Sequence, residues 1–144
     1  MIPNVKQAPL ETILRVNEKI PEFSGETRQE FEERLLGKES LLLVATNGKT
    51  AAGYLVGYAE NKETFYIWMA GTIPSQRKKG VMKKLMDYAE KFATKNGFKQ
   101  VKIKTRNERR AQLINLVNRN YMFESVESRP TIEENKITLT KKLF

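Results

Sequence analysis

Between Phe65 and Met82 the chain reads Phe-Tyr-Ile-Trp-Met-Ala-Gly-Thr-Ile-Pro-Ser-Gln-Arg-Lys-Lys-Gly-Val-Met, an apolar run that passes through a short basic loop into a helical pattern. A strand that opens directly onto a helix start is a natural anion site. The first helical N–H groups have no intrahelical partner, and the helix dipole adds about half a positive charge there. Gly80 allows a tight turn against a ligand, and Arg77, Lys78, Lys79, Lys83 and Lys84 surround it with cations. Lysines at a helix N-terminus oppose the dipole, so their clustering is easier to understand if an anion such as a pyrophosphate visits. A plain turn followed by solvated lysines accounts for the same residues, and both readings stand at this level.

The composition narrows the chemistry further. The 144 residues contain no cysteine and no histidine, which excludes thiol nucleophiles, disulfides, Cys/His zinc sites and imidazole bases. Carboxylates, phenols, hydroxyls, lysines, backbone groups or a borrowed cofactor remain. Net charge is +9, unevenly spread. Residues 1–70 carry 8 basic and 10 acidic side chains, a net of −2, and residues 71–144 carry 18 and 7, a net of +11. A basic half suits a phosphate-rich ligand or nucleic acid.

The elements that must position the loop follow from periodicity. Leu10–Ile20 and the stretch after the capping-box sequence Thr27-Arg28-Gln29-Glu30, with Phe31, Leu35 and Leu36 as its apolar face, read as two short helices. Ser40–Thr46, Ala51–Glu60 and Thr64–Thr72 read as an antiparallel meander, the first turn signalled by Asn47-Gly48. Gly80–Asn96 is the longest helical pattern, stopped by Gly97. Lys99–Arg106 alternates as a strand, Arg109–Asn120 returns to helical spacing, and Tyr121–Ser128 and Lys136–Leu143 close the chain as strands. One domain spans 1–144, an α/β fold with a mixed, mostly antiparallel central sheet and helices on both faces.

The segment resembles the acetyl-CoA-binding motif of the GCN5-related N-acetyltransferase (GNAT) family, Gln/Arg-x-x-Gly-x-Gly/Ala between a strand and a helix. Here it reads Arg77-Lys78-Lys79-Gly80-Val81-Met82, with Pro74 at the usual spacing before it. The order of elements resembles that family's fold over nearly the whole chain, and Tyr121-Met122-Phe123 falls where the family often has Gly-Phe. Two positions depart from the pattern. Met82 replaces a small residue, which is expected to narrow the approach of the pyrophosphate or shift it towards the Lys78 to Val81 amides. Asn118 stands where a tyrosine is often found.

The resemblance implies acetyl-CoA as cosubstrate and direct attack of a primary amine on its thioester. Coenzyme contacts then fall to Ala70, Gly71 and Thr72, with a backbone bulge expected at Gly71, to Arg77, Lys78, Lys79, Gly80, Val81 and Met82, and to Asn115. By alignment Tyr66 occupies the position at which some members carry a glutamate base. A phenol is a poor base unless its pKa is depressed, so a water relay past Tyr66, or Glu60 or Glu63, is expected to take the amine proton. Asn118, Tyr121, Asn115 and water are the candidates beside the departing sulfur.

In such proteins the opening helices shape the acceptor site. Glu18, Glu22, Glu26, Glu30, Glu32 and Glu33 concentrate acid there, which favours a cationic acceptor, although a solvated helix face explains the same residues. Two other readings are an RNA- or ribosome-directed transferase using Lys102, Lys104, Arg106, Arg109 and Arg110, and a non-catalytic CoA-binding module. With no apolar span of membrane length and no leader-like N-terminus, the expected setting is cytoplasmic, without membrane partners, as a monomer or homodimer.

Overall fold

The computed structural model describes residues 2–23 and 26–144. A seven-stranded sheet is built from β1 (Asn4–Gln7), β2 (Ser40–Asn47), β3 (Thr50–Ala59), β4 (Thr64–Thr72), β5 (Gln100–Arg106), β6 (Met122–Glu127) and β7 (Lys136–Lys142), in the order β1-β2-β3-β4-β5-β7-β6. Every neighbouring pair is antiparallel except β4 and β5. A parallel pair needs a long crossover, which α3 (Val81–Lys95) supplies.

Alternation along the strands divides the core in two. Leu41, Leu43, Leu55, Phe65, Ile67, Val101 and Ile103 face α3 and α4 (Arg110–Asn118), burying Leu85, Ala89, Leu113 and Leu116. Val44, Tyr54 and Val56 face α1 (Leu10–Asn17) and α2 (Arg28–Leu35), burying Ile13, Val16 and Phe31. The expected mixed sheet with helices on both faces is therefore the observed fold. No helix among the described residues is long and apolar enough to cross a membrane.

Several local expectations are corrected. The first helix ends at Asn17 rather than Ile20, where the buried Asn17 Oδ1 accepts a hydrogen bond of 2.7 Å from the Tyr54 hydroxyl. Thr27 caps α2 by accepting from Glu30 N–H at 3.2 Å, but Glu30 returns no carboxylate bond to the Thr27 amide, receiving instead the Thr27 hydroxyl at 3.4 Å. Leu36 lies past the helix end and is exposed. The sequence reading passes over β1, which pairs with β2 from Asn4 opposite Thr46 to Gln7 opposite Leu43. It is a polar edge strand with one apolar residue, Val5, so it carries no alternation to detect.

Candidate active site

The site is made where β4 and β5 part. Their parallel pairing runs from Thr64 opposite Gln100 to Ile67 opposite Ile103 and stops. Beyond that point β4 stays with β3, while β5 stays with β7 as far as Arg106 opposite Lys136. On β3, Val56 faces Met69 and Gly57 faces Ile67, so Trp68 is an extra residue. This bulge bends β4 at the residue where the cleft opens.

The bulge expected at Gly71 is thus three residues upstream. Gly71 pairs in regular register with Tyr54. Its lack of a side chain serves close packing: a Cβ there would clash with Phe23 and lie 2.9 Å from Ile20 Cδ1. The segment after α1 is seated directly on the cleft floor.

At the far end of β4 the chain passes through a short 3₁₀ turn, Pro74–Gln76, into the basic loop. Lys78 (φ 63°) and Gly80 (φ 80°) both adopt left-handed backbone. Among the described residues other than its chain neighbours, none comes within 4 Å of where a Gly80 Cβ would sit, so its glycine answers to φ and not to crowding. Lys84 N–H bonds the Gly80 carbonyl at 3.2 Å, starting the helical ladder. Among the described residues, the N–H groups of Lys78 through Lys83 have no protein acceptor. Six consecutive free donors with alternating left-handed residues form a concave anion nest at the positive end of α3.

These elements enclose a groove of about 780 Å³, lined by Ala70, Gly71 and Thr72 on β4, by Arg77, Lys78, Gly80, Val81 and Met82 at the loop, and by Gln112 and Asn115 on α4. Nine of the residues expected at the coenzyme are thereby brought together. The Lys79 side chain is placed elsewhere, in a separate recess with Asn47, Thr50 and Gln76, because the left-handed turns on either side redirect it. Met82 lines the groove and also packs against the core. Arg77 is engaged by protein: its Nη2 donates to both Glu22 oxygens and its Nε to the Thr72 carbonyl.

Of the residues expected at the amine proton and the departing sulfur, Asn115 alone lines the groove among the described residues. Tyr66 faces away from α3, against Tyr58, at a ring separation of 5.4 Å. Burial, then Tyr58 and Glu60, push its phenol up to about 12, with Arg34 opposing, so it is fully protonated at neutral pH. Glu60 and Glu63 sit at the start of β4, paired with Lys102 at 2.9 Å and Lys99 at 3.4 Å. At ~3.3 Å per residue, the six strand steps from Thr64, which follows Glu63, put the start of β4 about 20 Å from Ala70. Asn118 is exposed on the last turn of α4, whose groove-lining residues are Arg110, Ala111, Gln112 and Asn115. Tyr121 is buried and donates to Glu90 at 3.0 Å. Burial first, then the Glu90 carboxylate, raise it far above an ordinary phenol.

Sequence reasoning missed Phe23 and Gln112. Gln112 accepts the Thr105 hydroxyl at 2.6 Å and shares a helix face with Asn115, an i, i+3 spacing that could have revealed it. Of the acidic residues near the N-terminal helices, Glu22 alone lines the groove among the described residues. Glu32 pairs with Arg28, and Glu33 accepts from Gln29, on the exposed side of α2.

A family profile described as "Acetyltransferase (GNAT) family" matches residues 10–120. Among solved structures, Ard1 from Thermoplasma volcanium superposes with a TM-score of 0.83 at 13% identity, covering 100% of this chain and 99% of that one. An IAA acetyltransferase from Bacillus cereus gives 0.80 at 18% identity, over 97% and 99%. A GNAT family acetyltransferase from Elizabethkingia anophelis, solved with acetyl-CoA bound, gives 0.74 at 16%, over 97% of each chain. At such identities the likeness speaks for the fold. A search of curated proteins returns no matching sequence.

Proposed function

Since the chain belongs to the acetyltransferase (GNAT) family, whose acyl donor is acetyl-CoA, we propose that it is an N-acetyltransferase that moves the acetyl group directly to a primary amine. The observation that carries this reading is the run of free N–H groups from Lys78 to Lys83 at the mouth of a groove that continues into the β4/β5 splay. The coenzyme diphosphate would rest on those donors, with Lys78 and the α3 dipole adding charge. The pantetheine arm would run between β4 and α4, past Asn115, bonding backbone groups of Ala70 to Thr72 that β5 has left unpaired.

Attack on the thioester carbonyl develops negative charge on its oxygen. A backbone N–H of the splayed part of β4 would stabilise it, an effect worth roughly a hundredfold or more in rate. The nitrogen attacks, the C–S bond breaks, and the proton that nitrogen sheds on becoming an amide passes through water to the departing CoA thiolate. An amine of pKa about 10.4 is mostly protonated at pH 7, a deficit of ~4 to 5 kcal/mol. Tyr66 holds its proton, and Glu22 is occupied by Arg77. Water, or Glu108, which lines the groove and makes no ion pair among the described residues, then takes the proton before attack.

The test is CoA release from acetyl-CoA with a pool of primary amines, alongside calorimetry with CoA alone. Release that depends on amine, together with CoA binding, supports the assignment. Absence of heat with both CoA and acetyl-CoA would remove it.

A further inference from the structure

Next to the coenzyme groove, sharing Phe23, Ala70, Arg109 and Gln112 with it, lies a second cleft of about 170 Å³ inside the strand splay. Trp68 and Met69 form one wall, Ile103 to Arg106 the other, and Lys136 closes one side. Its charged lining is Lys104, Arg106, Arg109 and Lys136, all positive. Among the described residues none of the four has a carboxylate within salt-bridge distance. Lys102, their neighbour on β5, is by contrast neutralised by Glu60.

The fold pays for this arrangement. Arg106 and Lys136 stand directly opposite each other in the β5/β7 register, a like-charge pair that a sheet disfavours. Burial, then the fields of Lys104, Arg129 and Arg106, lower the Lys136 ammonium from its ordinary value, with Glu127 opposing. Two acids near the cluster are committed elsewhere, whereas Glu108, which lines the neighbouring groove with Arg109, makes no ion pair among the described residues. Glu127 pairs with Arg129 at 3.0 Å, and Glu22 pairs with Arg77 while feeling Arg109.

We infer that this cleft is the acceptor subsite and that its cations hold an oxyanion carried by the substrate, so that the acceptor is a small amine bearing a carboxylate or phosphate. The inference rests on the acetyl-transfer reading, which places the thioester at the junction of groove and cleft. Lys104, Arg106 and Lys136 do not line the coenzyme groove, so the nucleotide phosphates do not account for them. The volume equals roughly six waters of liquid, the scale of a small head group. Lys104, Arg109 and Lys136 are half-buried in a concave site, a geometry that suits a compact anion better than the open face of a nucleic acid.

The experiment compares matched amines at saturating acetyl-CoA: β-alanine with propylamine, and phosphoethanolamine with ethanolamine, with spermidine as the cationic reference. An anionic member is expected to exceed its neutral partner at least tenfold in kcat/KM, and the pair that does so identifies carboxylate or phosphate. Lys136→Met and Lys104→Met are each expected to erase most of that preference through KM while CoA affinity, read by calorimetry, stays within twofold. Equal or better turnover of propylamine, ethanolamine or spermidine overturns the inference and leaves acetyl transfer intact. Absence of heat from both anionic amines with the CoA complex overturns it as well, as does tight, steeply salt-dependent binding of bulk tRNA without turnover of either anionic amine. If acetyl-CoA itself does not bind, both readings fall together.

Discussion

Arg77 Nη2 reaches the two carboxylate oxygens of Glu22 at 2.9 and 2.8 Å, joining the basic loop to the segment that follows α1. Arg77 immediately precedes the run of free N–H groups, and Glu22 lines the same groove. On the proposed function, a coenzyme diphosphate in this groove would compete with Glu22 for the guanidinium.

Glu22→Gln should release Arg77 and tighten CoA binding severalfold, more at low salt, as calorimetry would read. Both partners are more than a third exposed, so stability should change by less than about 1 kcal/mol. The Arg77 hydrogen bond, then the Glu22 backbone, hold this carboxyl below its ordinary value. A depressed carboxylate contributes stability above its unfolded pKa and loses it as pH falls through the folded one. The small difference between wild type and variant should therefore vanish in acid. Weaker CoA binding by the variant would contradict the competition.

Gly80→Ala adds a Cβ that touches nothing yet must hold φ near 80°. The expected cost is ~1–2 kcal/mol of stability, from backbone strain alone. Gly80→Glu adds a carboxylate to the anion nest and should weaken CoA about tenfold to a hundredfold, ~1.4 to 2.8 kcal/mol. Unchanged CoA affinity in a folded Gly80→Glu protein would displace the diphosphate from this loop.

With Tyr66 held protonated up to about 12, the pH dependence of kcat/KM should follow the free amine. Between pH 6 and 9 its logarithm should climb with a slope near one, and Tyr66→Phe should leave that profile unmoved. A limb that shifts or disappears in the variant would return Tyr66 to proton transfer.

Tyr121→Phe removes the hydrogen bond to Glu90, which also receives Arg119 at 3.1 Å and Lys141 at 2.7 Å. Stability should fall by ~1–2 kcal/mol with kcat within twofold. A tenfold loss of kcat at unchanged KM would make Tyr121 the proton donor to sulfur.

What the sequence determined by itself is local. The apolar periods of α3, β5 and α4, the Asn47-Gly48 hairpin, and a glycine at a left-handed helix start among cations are legible because each depends on residues within a few positions of one another. The anion nest belongs to this class. Tertiary structure decided the rest. Only the sheet order parts β4 from β5, and only the Trp68 bulge locates the opening. Glu22 finds Arg77 across 55 positions, and Gly71 is small because Phe23 lies on it. The cationic cleft is assembled from β5, β7 and the start of α4, whose charges look like ordinary solvated faces when read along the chain. Register and packing between distant segments set those meetings, and no spacing within one segment encodes them.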